Sequence, residues 1–195
     1  MADRSAERRV HEATLGFPEQ RRGGALGAAE RIGDAGQRPL SGHLVVATFP
    51  RGRERLERTG AVVDEALRLY PPAYAIYREP VTETTLGGYA VPADATVMLP
   101  AYQIHRDERW WDASGEFRPE RWLGSSDDRP EYAYVPFGGG PRHCIGMRFA
   151  RMELQLALAT ILQRIRFERV TETLEPDAKV TLDPGTVLVR TETRE

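Results

Sequence analysis

The sequence predicts a mainly α fold with small β-sheets, an α+β class, and three observations lead to this prediction. Two stretches, near residues 56–69 and 145–165, carry apolar side chains at helical spacing. Short β-prone runs lie between and after them, bounded by glycine and proline turns. The chain of 195 residues is long enough to form one domain with a hydrophobic core.

The chain divides near residue 55 by composition. Residues 1–55 are rich in Arg, Gly and Ala and lack sustained periodicity, although 25–32 suit a short helix and 44–49 a short strand. Periodic apolar patterns begin after this point. We therefore predict an N-terminal segment of unclear structure at 1–55 and a folded portion at 56–195.

The first folded elements are predicted from their stop and turn signals. The helix near 56–69 should end at the Pro71–Pro72 pair, which cannot continue it. The Gly87–Gly88 pair suits the two-residue turn of a β-hairpin. The strands predicted around this turn cover residues 74–78, 84–86, 89–91 and 96–99.

The later elements follow from the same signals. Residues 105–136 hold all three Trp residues with little periodicity, which predicts a long ordered loop. The helix near 145–165 has a wide apolar surface, which predicts that most of it is buried. Residues 180–182 and 186–190 flank an Asp-Pro-Gly turn at 183–185 and predict a terminal hairpin.

Composition excludes several classes of protein. A formal net charge of −2 gives no reason to expect a nucleic-acid partner. The single Cys cannot form a disulfide within the chain. The sequence has no run of 18 apolar residues, so no membrane span is expected, and residues 1–9 lack the apolar core of a signal peptide. We expect a cytoplasmic protein.

The lone cysteine, Cys144, lies in a glycine-rich turn at residues 137–146, here called the Cys loop. The turn leads into the second helix, and a helix N-terminus favours a thiolate over a thiol. Glycines let the backbone approach the sulfur and a flat ligand. Arg142 could pair with a carboxylate in a forked geometry. Together these features suit a haem with its propionates.

The Cys loop resembles the signature F-x-x-G-x-R-x-C-x-G of the cytochrome P450 family, the haem-thiolate monooxygenases. Its fixed positions are Phe137, Gly140, Arg142, Cys144 and Gly146, and Ala150 on the following helix also fits. The resemblance implies the C-terminal part of the P450 fold, with Cys144 as iron ligand of haem b (iron protoporphyrin IX) and the other five as cofactor-binding residues.

Other interpretations of these residues remain open. A lone Cys is most often a small buried hydrophobe, and a glycine-rich turn before a helix can hold a phosphate. Cys144 and His143 could form a nucleophile and base, although adjacent turn residues seldom point at each other. A zinc site is disfavoured because one Cys and four scattered His lack ligand spacing.

Glu65 and Arg68 lie three positions apart on the first helix, so their charges can meet. By itself this spacing is typical of a solvated surface pair. The resemblance instead implies a structural triad with Arg121, from the segment Phe-Arg-Pro-Glu-Arg-Trp at 117–122, that holds the Cys loop. It also implies that Arg78 and His105 contact the propionates, against the alternatives of a surface charge and a core histidine.

The resemblance covers about residues 60–195 and implies oxygen insertion into a small apolar substrate. Electrons would come from a ferredoxin, a flavodoxin-like protein or a flavoprotein reductase. The A-G-x-[DE]-T-type run of the family's oxygen-activation helix is not found in residues 1–55. We therefore expect a truncated member that lacks the distal half. An inactive haem-binding fragment and a non-haem interaction module that retains part of the fold are the alternatives.

Overall fold

A computed structural model describes residues 12–14, 53–124 and 128–194 of the chain. The helix expected at 25–32 and the strand expected at 44–49 lie outside these ranges. The described helices are α1 (Arg53–Leu69), α2 (Ala101–Ile104) and α3 (Met147–Arg164). The described strands are β1 (Glu12–Thr14), β2 (Ile76–Arg78), β3 (Thr84–Leu86), β4 (Tyr89–Val91), β5 (Val97–Leu99), β6 (Ile165–Arg169), β7 (Asp177–Ala178), β8 (Leu182–Asp183) and β9 (Leu188–Thr193).

Helix α1 confirms the first predicted helix and forms one wall of the core. Val63 and Leu67, four positions apart, lie on one face and are both buried. Leu69 is the last helical residue and is also buried. The chain then reaches Pro71, whose missing N–H and fixed φ prevent a further helical turn.

Two small antiparallel sheets follow α1 where strands were predicted. Strand β2 pairs with β5, and β3 pairs with β4 as the expected hairpin. Gly87 and Gly88 in the hairpin turn have φ values of 57° and 87°. Left-handed backbone at both central positions is the requirement that favours glycine in such turns. Residues 105–136 follow as the predicted loop, tightened by short 3₁₀ turns at Pro119–Trp122 and Glu131–Ala133.

The predicted terminal hairpin is wrong. Strand β8 pairs with β7, and β9 pairs with β6 directly after α3 and with β1 on its other edge. The turn at 183–185 redirects the chain from one small sheet to the other, with Gly185 at φ 70° and its N–H bonded to Asp183 Oδ1 at 2.9 Å. The predicted partner of residues 186–190 was nearby in sequence, whereas β6 is a long-range partner.

Helix α3 confirms the second predicted helix, but the expectation that most of its surface is buried is wrong. Ala159 and Leu162 are its buried residues. Helix α1 packs against one side, and among the described residues the other side is left exposed. The apolar side chains exposed on that side are Phe149, Met152, Leu156 and Ile161. None of the helices in the described ranges combines the length and apolar character needed to cross a bilayer.

Candidate functional site

The Cys loop is closed by its own backbone. The Cys144 N–H donates to the Phe137 carbonyl at 2.8 Å, and the Gly138 N–H donates to the Val135 carbonyl at 3.0 Å. Gly138 and Gly140 have φ values of 77° and 67°, in the region that side chains rarely adopt. The loop is therefore a tight turn that brings Cys144 back beside the residue at its start.

Gly139, at a Cys-loop position that the signature leaves variable, lies close to an aromatic ring. A Cβ added to Gly139 would lie 2.9 Å from the ring of Tyr132, so an alanine would force that ring to move. At Gly146 the added Cβ would lie 3.8 Å from Cys144 Sγ, which is ordinary contact. A larger residue at position 139 therefore requires the exposed ring of Tyr132 to shift, whereas at Gly146 the sulfur would not need to move.

The open side of the Cys loop presents a thiol, a cation and apolar side chains together. Cys144 is exposed just before α3 begins at Met147. The Arg142 side chain is also exposed and has no hydrogen-bond or ion-pair partner within the described ranges. Ile145 is fully exposed and Phe149 is 63% exposed, while Ala150 is half-buried. This set fits a flat apolar ligand that carries an iron and carboxylates.

Strand β2 brings Arg78 to the neighbourhood of the Cys loop. The Ile76 side chain lies 3.9 Å from the point where a Cβ on Gly138 would stand. Alternate residues of a strand share a face, so Arg78 lies on the same face as Ile76. The Arg78 guanidinium is exposed and donates to the Tyr77 carbonyl at 2.8 Å.

The structure brings Glu65, Arg68 and Arg121 together in a buried network. It is here called the network behind the loop, because His105 and Val135 connect it to the start of the Cys loop. The fully buried Arg68 donates Nε and Nη2 to the two oxygens of the fully buried Glu65, at 2.9 Å each. Arg121 Nε donates to Glu65 Oε1 at 3.1 Å. Two more donors complete the carboxylate's shell: the Arg118 backbone N–H at 2.8 Å and Trp122 Nε1 at 2.9 Å.

The surroundings of Glu65 favour its ionised form. Burial by itself would raise the pKa of this carboxyl, but hydrogen bonds from Arg68 and the Arg118 backbone outweigh it and the pKa is lowered. Burial lowers the pKa of Arg121, although Glu65 opposes that shift. The buried charges thus compensate one another, and removing the carboxylate would leave two guanidinium groups without their counter-ion.

Arg68 also donates hydrogen bonds to the loop that follows α2. Its Nη1 donates to the carbonyls of His105 and Ser114, at 2.7 Å each. Its Nη2 donates to the Glu116 carbonyl at 3.0 Å. One buried side chain therefore links helix α1 to three points of the loop, in addition to its ion pair with Glu65.

The prediction that His105 contacts a propionate is wrong. Its ring is fully buried, and both ring nitrogens are used within the protein. Nδ1 lies 3.2 Å from the Arg68 carbonyl, and Nε2 accepts the Val135 N–H at 2.8 Å. Burial lowers the pKa of His105 to about 4, so the ring is neutral near pH 7. His105 is therefore a core histidine, which was the alternative to propionate contact.

An aromatic cluster beside this network was missed from the sequence. Trp111 is buried and donates Nε1 to the Ala133 carbonyl at 3.2 Å. Tyr134 donates its hydroxyl to the Asp64 carbonyl at 3.0 Å, and its ring centroid lies 4.6 Å from that of Trp122. The three Trp residues in one loop were a usable signal, because buried indole N–H groups need acceptors.

The sequence of the chain is similar to proteins of one family. The family model described as Cytochrome P450 matches residues 51–192. Among curated proteins, Cytochrome P450 3A5 of Homo sapiens is 41% identical over 122 residues, which are 63% of this chain and 24% of that protein. Cytochrome P450 3A12 of Canis lupus familiaris is 42% identical over 138 residues, which are 67% of this chain and 27% of that protein. The chain thus spans about a quarter of the length of the curated relatives it matches.

Proposed function

This chain belongs to the cytochrome P450 family, and from that premise we propose that it is the C-terminal, haem-binding part of a haem-thiolate monooxygenase. One observation carries the proposal. Cys144 is exposed near the end of the Cys loop, and Val135, two residues before that loop, donates its N–H to His105, whose carbonyl binds Arg68 of the buried ion network. A single axial thiolate is sufficient protein ligation for a haem iron.

Each residue of the signature has a proposed place around the cofactor, haem b. Cys144 supplies the thiolate, and the exposed guanidinium of Arg142 pairs with a propionate. Arg78, on the strand face that packs against the Cys loop, is the second propionate partner. The residues that shape the loop and border the ring are Phe137, Gly140, Gly146 and Ala150.

The triad of Glu65, Arg68 and Arg121 acts by position. Its members hold α1 against the 117–122 segment, and Arg68 also binds His105, which accepts the Val135 N–H just before the Cys loop. The network thereby restrains the start of the loop that would present the thiolate to iron. A preorganised ligand does not need to be ordered when it binds, which favours the complex.

When bound through a thiolate, haem supplies oxygen activation, because the electron density donated by sulfur favours O–O cleavage. The residues of this chain provide the ligand, the propionate cations and apolar contacts such as Phe149. We propose a small apolar substrate and an electron donor of the ferredoxin, flavodoxin-like or flavoprotein-reductase type. A cytoplasmic location stays a prediction.

The absorption spectrum of the reduced, carbon monoxide-bound chain with haem supplied tests the proposal. We expect the strongly red-shifted Soret band of a thiolate ligand. Cys144→Ser should lose this band, because a neutral hydroxyl donates much less electron density. Ser114→Ala, an exchange away from the Cys loop, is the control and should keep it.

The outcomes separate haem binding from catalysis. A red-shifted band with substrate oxidation supports the whole proposal. If the band is present but no substrate is oxidised when an electron donor and oxygen are supplied, the result supports haem binding and contradicts the proposed monooxygenase activity. A Soret band that Cys144→Ser leaves unchanged would exclude Cys144 as the ligand.

A further inference from the structure

We propose that His105 is a positioning residue for the Cys loop. Through its two ring nitrogens it connects the loop to α1, the helix that carries Glu65 and Arg68 of the triad. The inference rests on the proposed function only in its consequence for haem ligation. Its structural part concerns the hydrogen bonds of His105 with Arg68 and Val135, and these can be tested without a cofactor.

The link between His105 and Arg68 is reciprocal. The Arg68 side chain donates to the His105 carbonyl at 2.7 Å, while the His105 ring lies 3.2 Å from the Arg68 carbonyl through Nδ1. Both side chains are fully buried. Each residue therefore fixes the backbone of the other, and the ring of His105 is held in one orientation relative to α1.

From His105 the hydrogen bonds continue to the cysteine. The ring accepts the Val135 N–H at 2.8 Å, and the Val135 carbonyl accepts the Gly138 N–H at 3.0 Å. Phe137, between them, accepts the Cys144 N–H at 2.8 Å. A change at the ring of His105 thus reaches Cys144 through the two residues that open the Cys loop.

The geometry determines which ring nitrogen carries the proton. A backbone N–H can only donate, so Nε2 must be the unprotonated acceptor for Val135. Nδ1 must then carry the hydrogen and donate it to the Arg68 carbonyl. A protonated ring would place two N–H groups face to face at Val135 and break the connection.

Two neighbouring contacts define what is specific to His105. Trp111 donates a hydrogen bond to the Ala133 carbonyl, and Tyr134 donates one to the carbonyl of Asp64 on α1. These two hydrogen bonds restrain Ala133 and Tyr134, the residues directly before Val135. His105 alone among the described side chains both binds the backbone of a triad member and accepts the N–H that adjoins the Cys loop.

Two substitutions separate the two ring contacts. The amide of His105→Gln reaches the position of Nε2 and can accept the Val135 N–H. The shorter amide of His105→Asn reaches the position of Nδ1, so it can donate to the Arg68 carbonyl but leaves Val135 without an acceptor. Gln103→Asn introduces the same residue at an exposed position of α2 and is the matched control.

Amide hydrogen exchange of the full chain is the first readout. In His105→Asn the amides of Val135 and Cys144 should exchange about tenfold faster than in His105→Gln, because a buried donor has lost its acceptor. The amide of Val63 within α1 should exchange equally in both. Equal exchange of Val135 and Cys144 in the two variants, or a rise that Val63 shares, would overturn the inference.

With haem supplied, the reduced, carbon monoxide-bound spectrum is the second readout. His105→Asn should show a smaller fraction of the red-shifted band than His105→Gln and Gln103→Asn, and an equal fraction would overturn the coupling to Cys144. If every variant lacks that band while the exchange pattern is as expected, the proposed function fails and the positioning of the Cys loop stands.

A measurement on the unmodified chain covers the case in which a variant does not fold. Imidazole ¹⁵N chemical shifts at pH 7 should show His105 with a protonated Nδ1 and an unprotonated Nε2. The opposite tautomer, or a doubly protonated ring, would contradict the connection to Val135.

Discussion

The two sides of the Cys loop differ in how their polar groups are satisfied. Behind the loop, Glu65, Arg68 and His105 are fully buried, and each makes two or more hydrogen bonds. In front of it, Cys144 and Arg142 are exposed beside apolar side chains of α3. Val135, two residues before the loop, connects the buried side to it by donating its N–H to His105.

This difference shows where shape is determined and where binding is possible. Buried charges are tolerated only when they are paired and hydrogen-bonded, so the network behind the loop permits few arrangements. The side chains in front have no such constraint and are available to a ligand. The comparison predicts that substitutions behind the loop change stability strongly, whereas those in front change binding.

The largest effect is expected for Glu65→Gln. Neutralising this side chain leaves Arg68 and Arg121 buried without a counter-ion, which should lower the free energy of unfolding by ~3–5 kcal/mol. Urea denaturation followed by circular dichroism measures it. Glu120→Gln, exposed in the same 3₁₀ turn as Arg121, is the control and should change stability by less than ~0.5 kcal/mol. Similar losses in both variants would remove the distinction between the two sides.

The next effect is a pH dependence caused by His105. The unfolded ring binds a proton below a pH of about 6.5, whereas the folded ring stays neutral down to a pKa of about 4. Stability should therefore fall as the pH decreases through this window, by ~3 kcal/mol in total. Because the pKa of Glu65 is lowered from an ordinary value of 4.5, the loss that it causes begins as the pH falls below about 4.5. His105→Gln should lack the slope between about pH 6.5 and 5 in pH-dependent urea denaturation, and a slope that persists there would come from other groups.

A smaller loss is expected for Trp111→Phe. The change removes the donor to the Ala133 carbonyl in a buried site, which should lower the free energy of unfolding by ~1–3 kcal/mol. Thermal unfolding of the variant measures this loss. Trp110→Phe exchanges the same residue types at the adjacent, 42% exposed position and should be nearly neutral. If both variants lose equal stability, the burial of Trp111 and its hydrogen bond are not the cause of the loss.

The smallest effect on stability is expected in front of the loop. Ile145→Ser removes a fully exposed side chain and should change the free energy of unfolding by less than ~0.5 kcal/mol. Leu162→Ala, at a buried position of α3, should cost ~2–5 kcal/mol. Chemical denaturation of the two variants compares them directly. A loss at Ile145 as large as that at Leu162 would show that this face is buried in solution.

Short sequence patterns correctly predicted those elements whose structure depends on a few adjacent residues. Pro71 ends α1, and the Gly87–Gly88 pair specifies a turn with positive φ, so both features could be predicted from a few adjacent residues. The pairing of β9 with β6 could not, because twenty or more residues separate the paired positions and the turn at 183–185 suits either topology. Partner choice in short strands depends on the tertiary fold.

The candidate site divides in the same way. The spacing of Glu65 and Arg68 allowed an ion pair, but only the fold shows that it is buried and that Trp122 joins it. His105 directly follows the short helix α2, yet its two contacts, Arg68 and Val135, lie 37 and 30 positions away. No sequence pattern specifies contacts over such separations.

The most direct test of Cys144 as the haem ligand is resonance Raman spectroscopy of the haem-loaded chain, with cysteine sulfur replaced by ³⁴S. The chain contains one Cys, so any cysteine isotope effect belongs to Cys144. We predict an iron–sulfur stretching band that moves to lower frequency with the heavier isotope. The absence of such a band, or a band that does not move, would contradict the account.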